Sequence, residues 1–123
     1  MTKKISTRFF SKKQENKVAN DIGGKTTPNS GARPYQKGDI SVSQQYNIQE
    51  DGTIKEKESW LLEAKTCMTN KQSFSIKKQW LEGIKEEALQ AGKMNYALVF
   101  SFGPNQENYY ILNEKKFKEL FED

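Results

Sequence analysis

The chain has 123 residues with 20 lysines and arginines against 16 acids, a net charge of +4, one cysteine and no histidine. Only 34% of residues are apolar and mean hydropathy is -0.92, so this length supports a single domain with a thin core, a sheet under a few helices. The missing histidine and lone Cys67 exclude structural zinc sites, cysteine-histidine nucleophiles and serine-histidine triads, which leaves carboxylates, lysines, hydroxyls or a bound hard metal for any chemistry.

Residues 1–10 read as a basic N-terminal arm, frayed over its first eight or so positions, and residues 11–123 as the single domain. Residues 1–37 hold nine lysines and arginines against Glu15 and Asp21, a charge of +7, while the remainder carries -3. A basic leading third suits a polyanion, because each neutralised phosphate releases counterions, although solubilising lysines give the same count. Ser11 followed by Gln14 is a capping-box spacing, and Gly23-Gly24 is a helix stop, so a first helix is predicted over 11–22. From Gly23 to Lys37 the composition turns to Gly, Thr, Pro, Asn and Ser, an irregular loop carrying Lys25, Ser30, Arg33 and Lys37.

Asp39 to Ser43 alternates polar and apolar, as a half-buried strand does. Glu50-Asp51-Gly52-Thr53 is a turn, and Ser59–Thr66 reads as the returning strand of a long hairpin. Period two puts Leu61, Glu63 and Lys65 on one face and Trp60, Leu62 and Ala64 on the other. Ile76, Trp80, Leu81, Ile84 and Ala88 recur at helical spacing, with Ser73 or Ser75 as N-cap and Gly92 as terminator. Asn95–Phe102 is an apolar run expected as a central strand, its parallel entry allowed by the preceding helix. Asn108–Leu112 adds another strand, and Asn113 caps a closing helix with Phe117, Leu120 and Phe121 expected on its inner face. The fold class is α/β, one mixed central sheet flanked by helices. No apolar run approaches the roughly 20 residues that span a bilayer, and the stretch Met1-Thr2-Lys3-Lys4 lacks the apolar character of a signal peptide, so no membrane partner and a soluble, cytoplasmic protein are expected.

Glu-x-Lys occurs three times, as Glu15-Lys17, Glu63-Lys65 and Glu114-Lys116. In a helix, residues two apart diverge, so only the strand-borne Glu63-Lys65 can present both groups to one site. Asp39 opens the strand paired with that of Glu63, and Glu15 adds a carboxylate from the first helix. Clustered carboxylates beside a lysine suit phosphodiester hydrolysis, where a divalent cation offsets developing charge and lowers the pKa of water. An exposed face of an edge strand is the plainer reading of the same spacing. Lys12 and Lys13 belong to the basic segment, and Gln79 lies near the turn into the second helix, where it either reaches a DNA backbone or is solvated. Trp80, Phe100 and Phe102 are expected in the core, and Cys67 to be inert.

Gly38-Asp39-Ile40, then Glu63-Ala64-Lys65-Thr66 after apolar residues, then a serine-rich turn into an amphipathic helix, together resemble the PD-(D/E)XK nuclease superfamily over residues 11–112. The loop Thr27-Pro28-Asn29-Ser30-Gly31-Ala32 and the stretch Ser73–Trp80 before Gly92-Lys93 are most similar to small Holliday-junction resolvases of phage, RecU-like and archaeal type. The resemblance implies a restriction-endonuclease-like core, with Asp39, Glu63 and the Ala64 carbonyl as ligands of Mg²⁺ or Mn²⁺. It also implies Lys65 as catalytic lysine, Glu15 as the helix-borne acid, a homodimer, four-way DNA junctions as substrate in recombination and repair, and a phage-encoded protein acting in host cytoplasm. Gly38 stands where many relatives have proline, and the interval between Asp39 and Glu63 is longer than in several. Rival readings are a repair or restriction-type endonuclease on duplex DNA and a non-catalytic DNA-binding protein of the same fold.

Overall fold

The computed structural model describes residues 7–27 and 38–122. The elements run α1 (Thr7–Ile22), β1 (Lys25–Thr26), β2 (Ile40–Val42), β3 (Gln45–Ile48), β4 (Ile54–Lys57), β5 (Trp60–Lys65), α2 (Lys78–Gln90), β6 (Asn95–Phe100), β7 (Tyr109–Ile111) and α3 (Glu114–Glu119). Five strands form a mixed sheet in the order β1-β2-β5-β6-β7, while β3 and β4 pair only with each other. The sheet is antiparallel except between β5 and β6, which run parallel because α2 carries the chain back to the starting edge. The α/β class and mixed central sheet expected from the sequence are present.

Alternation along the strands divides the core in two. On one face Ile40, Val42, Leu62, Ala97 and Val99 pack under Val18 and Ala19 of α1. On the other, Leu61 packs under Ile84 and Ala88 of α2, with Tyr96 at its border. Full burial of each large aliphatic side chain contributes about 1.5–3 kcal/mol, so a core this small holds the sheet with little excess. Gly38 is buried against Leu61, and a Cβ there would lie 2.4 Å from the Leu61 Cγ. The glycine preceding Asp39 thus has a steric reason: neither proline nor alanine fits beside a leucine with no exposed surface.

Several expectations are corrected. Helix α1 begins at Thr7, so residues 7–10 assigned to the arm are helical, and Ser11 lies inside the helix rather than capping it. Helix α2 begins at Lys78 behind Lys77, which has extended backbone and no side-chain cap bond; Ser73, Ser75 and the 42%-exposed Ile76 belong to the preceding loop. Its stop is as expected. Gly92 adopts φ +70, and the amides of Gly92 and Lys93 return to the carbonyls of Leu89 and Ala88 at 3.2 and 2.9 Å, a left-handed helix end. Asn113 does cap α3, accepting from the Lys116 amide at 2.7 Å. Phe117, Leu120 and Phe121 face outward instead of inward, at 54%, 64% and 75% exposure. The interval between β2 and β5 holds a second hairpin, β3-β4, with Gly52 in its turn at φ +87. No helix among the described residues is long and apolar enough to cross a membrane.

Candidate active site

Antiparallel pairing of Ile40 with Leu62 sets Asp39 opposite Glu63 at one end of the sheet. Asp39 is fixed on three sides. Its amide donates to the Leu62 carbonyl at 2.9 Å, its carbonyl accepts from the Thr27 amide at 2.9 Å, and its Oδ2 accepts from the Ala64 amide at 2.8 Å. The Thr27 hydroxyl also donates to the Gly38 carbonyl, which ties down the preceding peptide. Glu63 and Lys65 share the face under α2, with Lys65 Nζ 3.7 Å from Glu63 Oε1. Of the three Glu-x-Lys pairs, the other two lysines turn elsewhere, Lys17 to Asp21 and Lys116 to Glu58 and Glu119.

Glu15 completes the group from α1, one helical turn before Val18 and Ala19, which anchor that helix on the sheet. The Asp39 carboxyl lies near enough to act on it, raising the Glu15 pKa while Glu15 lowers that of Asp39. Burial first, then the Asp39 charge, pushes the Glu15 pKa up to about 7, with Lys12 opposing. Burial also raises Asp39, against the pull of the Ala64 amide and of Lys65. Glu63 is raised by burial and by the charges of Asp39 and Glu87, with Lys65 opposing. Burial opposes the ionisation of all three carboxyls near this sheet end, and a hard cation bound there would favour their charged forms.

Among the described residues, no three side chains of the His, Cys, Asp or Glu type form a preassembled metal-ligand set. The charge of Asp39 acts on both others, raising Glu15 and Glu63. All the donors are oxygens, which fits Mg²⁺ or Mn²⁺ over zinc.

Sequence reasoning missed three contributors. Gln14, only 8% exposed, was read as part of a capping box. It instead donates to the Lys65 carbonyl at 3.2 Å and to Asn108 Oδ1 at 3.1 Å, and its Oε1 accepts from the Thr66 hydroxyl at 2.5 Å, so it clamps α1 to the end of β5. Glu87 stands between Ile84 and Ala88, an acid within the apolar stripe of α2 that aims its charge at Glu63. Trp80, expected in the core, is only partly buried, and its ring lies 4.4 Å from Lys65 Nζ.

The outlying basic and polar candidates divide. Lys12 and Lys13 are exposed on α1, with Lys13 Nζ donating to Asn105 Oδ1 at 2.5 Å. Lys25 is exposed on β1 and Gln79 on α2. Ser30, Arg33 and Lys37 lie outside the described residues. Cys67 is buried and unbridged. Compared with protein families, curated proteins and solved structures, the chain matches none.

Proposed function

We propose that this chain is a metal-dependent DNA endonuclease of the PD-(D/E)XK type, with four-way junctions as its substrate. The observation that carries the reading is the β2–β5 pairing that sets Asp39, just before β2, opposite Glu63, with Lys65 Nζ 3.7 Å from Glu63 and Glu15 of α1 under the influence of Asp39. Asp39, Glu63 and the Ala64 carbonyl would hold Mg²⁺ or Mn²⁺, which when bound offsets charge on the phosphate and makes water acidic enough to attack near neutral pH. The protein's own groups do the rest. The Lys65 ammonium orients the attacking water and steadies the phosphate, and its contacts with Glu63 and the Trp80 ring restrict where it points. Glu15, its pKa pushed up to about 7, exchanges a proton near working pH.

Lys12, Lys13 and Lys25, with Ser30, Arg33, Lys37 and Gln79, supply phosphate contacts that position DNA without reading its sequence. Paired cuts across a junction need two such sites, so the working unit is a homodimer. Incubating the protein with a synthetic four-way junction and with linear duplex of matched sequence, in Mg²⁺ and in EDTA, tests the reading. Symmetric cuts in the junction that EDTA abolishes are expected. Equal cutting of the duplex would replace the resolvase by a repair or restriction-type enzyme, and binding without any cutting would leave a DNA-binding protein. Lys65→Ala is expected to lower turnover about 100-fold or more, as removal of a positioned catalytic group does, with junction binding retained.

A further inference from the structure

Beside Lys65 opens a cleft of about 890 Å³, most of whose lining has no part in the hydrolysis proposed above. Its walls come from the Lys65–Ser75 segment and from Trp80 near the start of α2. The rings of Phe74 and Trp80 stand 6.2 Å apart, tilted by 52°. Phe74 stacks on Phe100 at 4.9 Å, and Phe100 on Tyr109 at 5.7 Å, so strands β6 and β7 back the aromatic wall. Ammonium groups lie over the Trp80 ring and along the cleft. Lys65 and Lys71 line the cleft, and Lys77 Nζ lies 5.7 Å from the Trp80 centroid.

Aromatic faces flanked by cations select a planar ring that carries negative charge beside it, and a nucleobase with its phosphate has both features. A base still stacked inside a duplex shows only its edge, so a ring entering this cleft has left the helix. The position of Lys65 supplies the distance argument: the same Nζ sits 3.7 Å from Glu63 and 4.4 Å from the Trp80 centroid, so cleft and acidic site share one wall.

We propose that the cleft is a subsite for an unstacked nucleobase adjoining the phosphate held at Lys65, so that a nucleotide at the branch point of the junction leaves its stack when that phosphate is seated. The proposal rests on the nuclease reading for the place of that phosphate, while occupancy of the cleft is measurable without cleavage. The test is metal-free fluorescence anisotropy with a labelled short oligothymidylate and with the same sugar-phosphate backbone lacking its bases. Stacking predicts about tenfold tighter binding of the base-bearing strand by the unaltered protein. Trp80→Phe keeps most of that preference, whereas Trp80→Leu and Phe74→Leu lose it. Equal affinity of the unaltered protein for the two strands overturns the proposal, as does full preference retained in both leucine variants. Base-selective binding by a protein that cuts nothing sinks the nuclease reading alone; metal-dependent cutting without base selectivity sinks the cleft alone.

Discussion

Glu15 carries the strongest pH signal in the site. Burial and Asp39 raise its pKa from the ordinary 4.5 to about 7, so between those values the folded chain keeps a proton that the unfolded chain has lost. The contribution is full below pH 4.5 and disappears as pH rises through 7. Asp39 and Glu63, also raised, act in the same direction. Glutamine keeps the hydrogen-bonding shape and removes the titration. Melting temperatures of Glu15→Gln and the parent, taken at pH 5 and pH 8, should show an advantage of the variant that grows with pH. A constant difference would mean that Glu15 ionises as it does in water. Gly38 makes a separate residue-scale case. Alanine there meets fully buried Leu61 at 2.4 Å, and forced repacking of this kind costs about 1–3 kcal/mol, readable as a lower urea midpoint at unchanged slope.

Among elements, the joint between α1 and β5 matters most, and Gln14 makes it. Gln14→Ala leaves the Lys65 carbonyl and the Thr66 hydroxyl short of a partner at a part-buried seam, a loss of about 1–3 kcal/mol in urea unfolding. Activity should fall further than stability if the end of β5 then loses its alignment. The sequence showed this helix through its glycine stop, yet hid the joint, because glutamine three residues after serine is also a capping pattern. Period two in β5 and the apolar run of β6 were legible for a physical reason: alternation reports one face per side chain. The start of α2 was not, since Ile76 sits at helical spacing from Trp80 while lying in the loop before the helix. Helix α3 misled through its amphipathic pattern. Phe117 and Phe121 contact each other at 5.3 Å, but a periodic stripe says nothing about which surface meets it.

At the scale of the molecule, Glu63, Lys65 and Asp39 were legible because alternation and antiparallel pairing bring them to one face. The approach of Glu87 and Trp80 was not, because it depends on how α2 lies across the sheet. The same architecture separates what tolerates change from what does not. Leu98 is fully buried in β6, an interior strand of the sheet, and Leu98→Ala should cost about 2–5 kcal/mol. A short polar insertion at Gly52, in the exposed turn of β3-β4, should alter unfolding by only about 0.5 kcal/mol or less, with calorimetry able to separate the two outcomes.

The β3-β4 hairpin leaves the sheet beyond Val42 and returns before Trp60, whereas Asp39 and Glu63 occupy the opposite ends of those paired strands. Chain length between two acids that are remote in sequence is therefore taken up at the far pole of the ladder. The hairpin tip is accordingly a handle: a dye, an affinity peptide or a surface tether grafted there hangs clear of the chemistry, and the protein can be immobilised by it with the acidic end pointing away from the support.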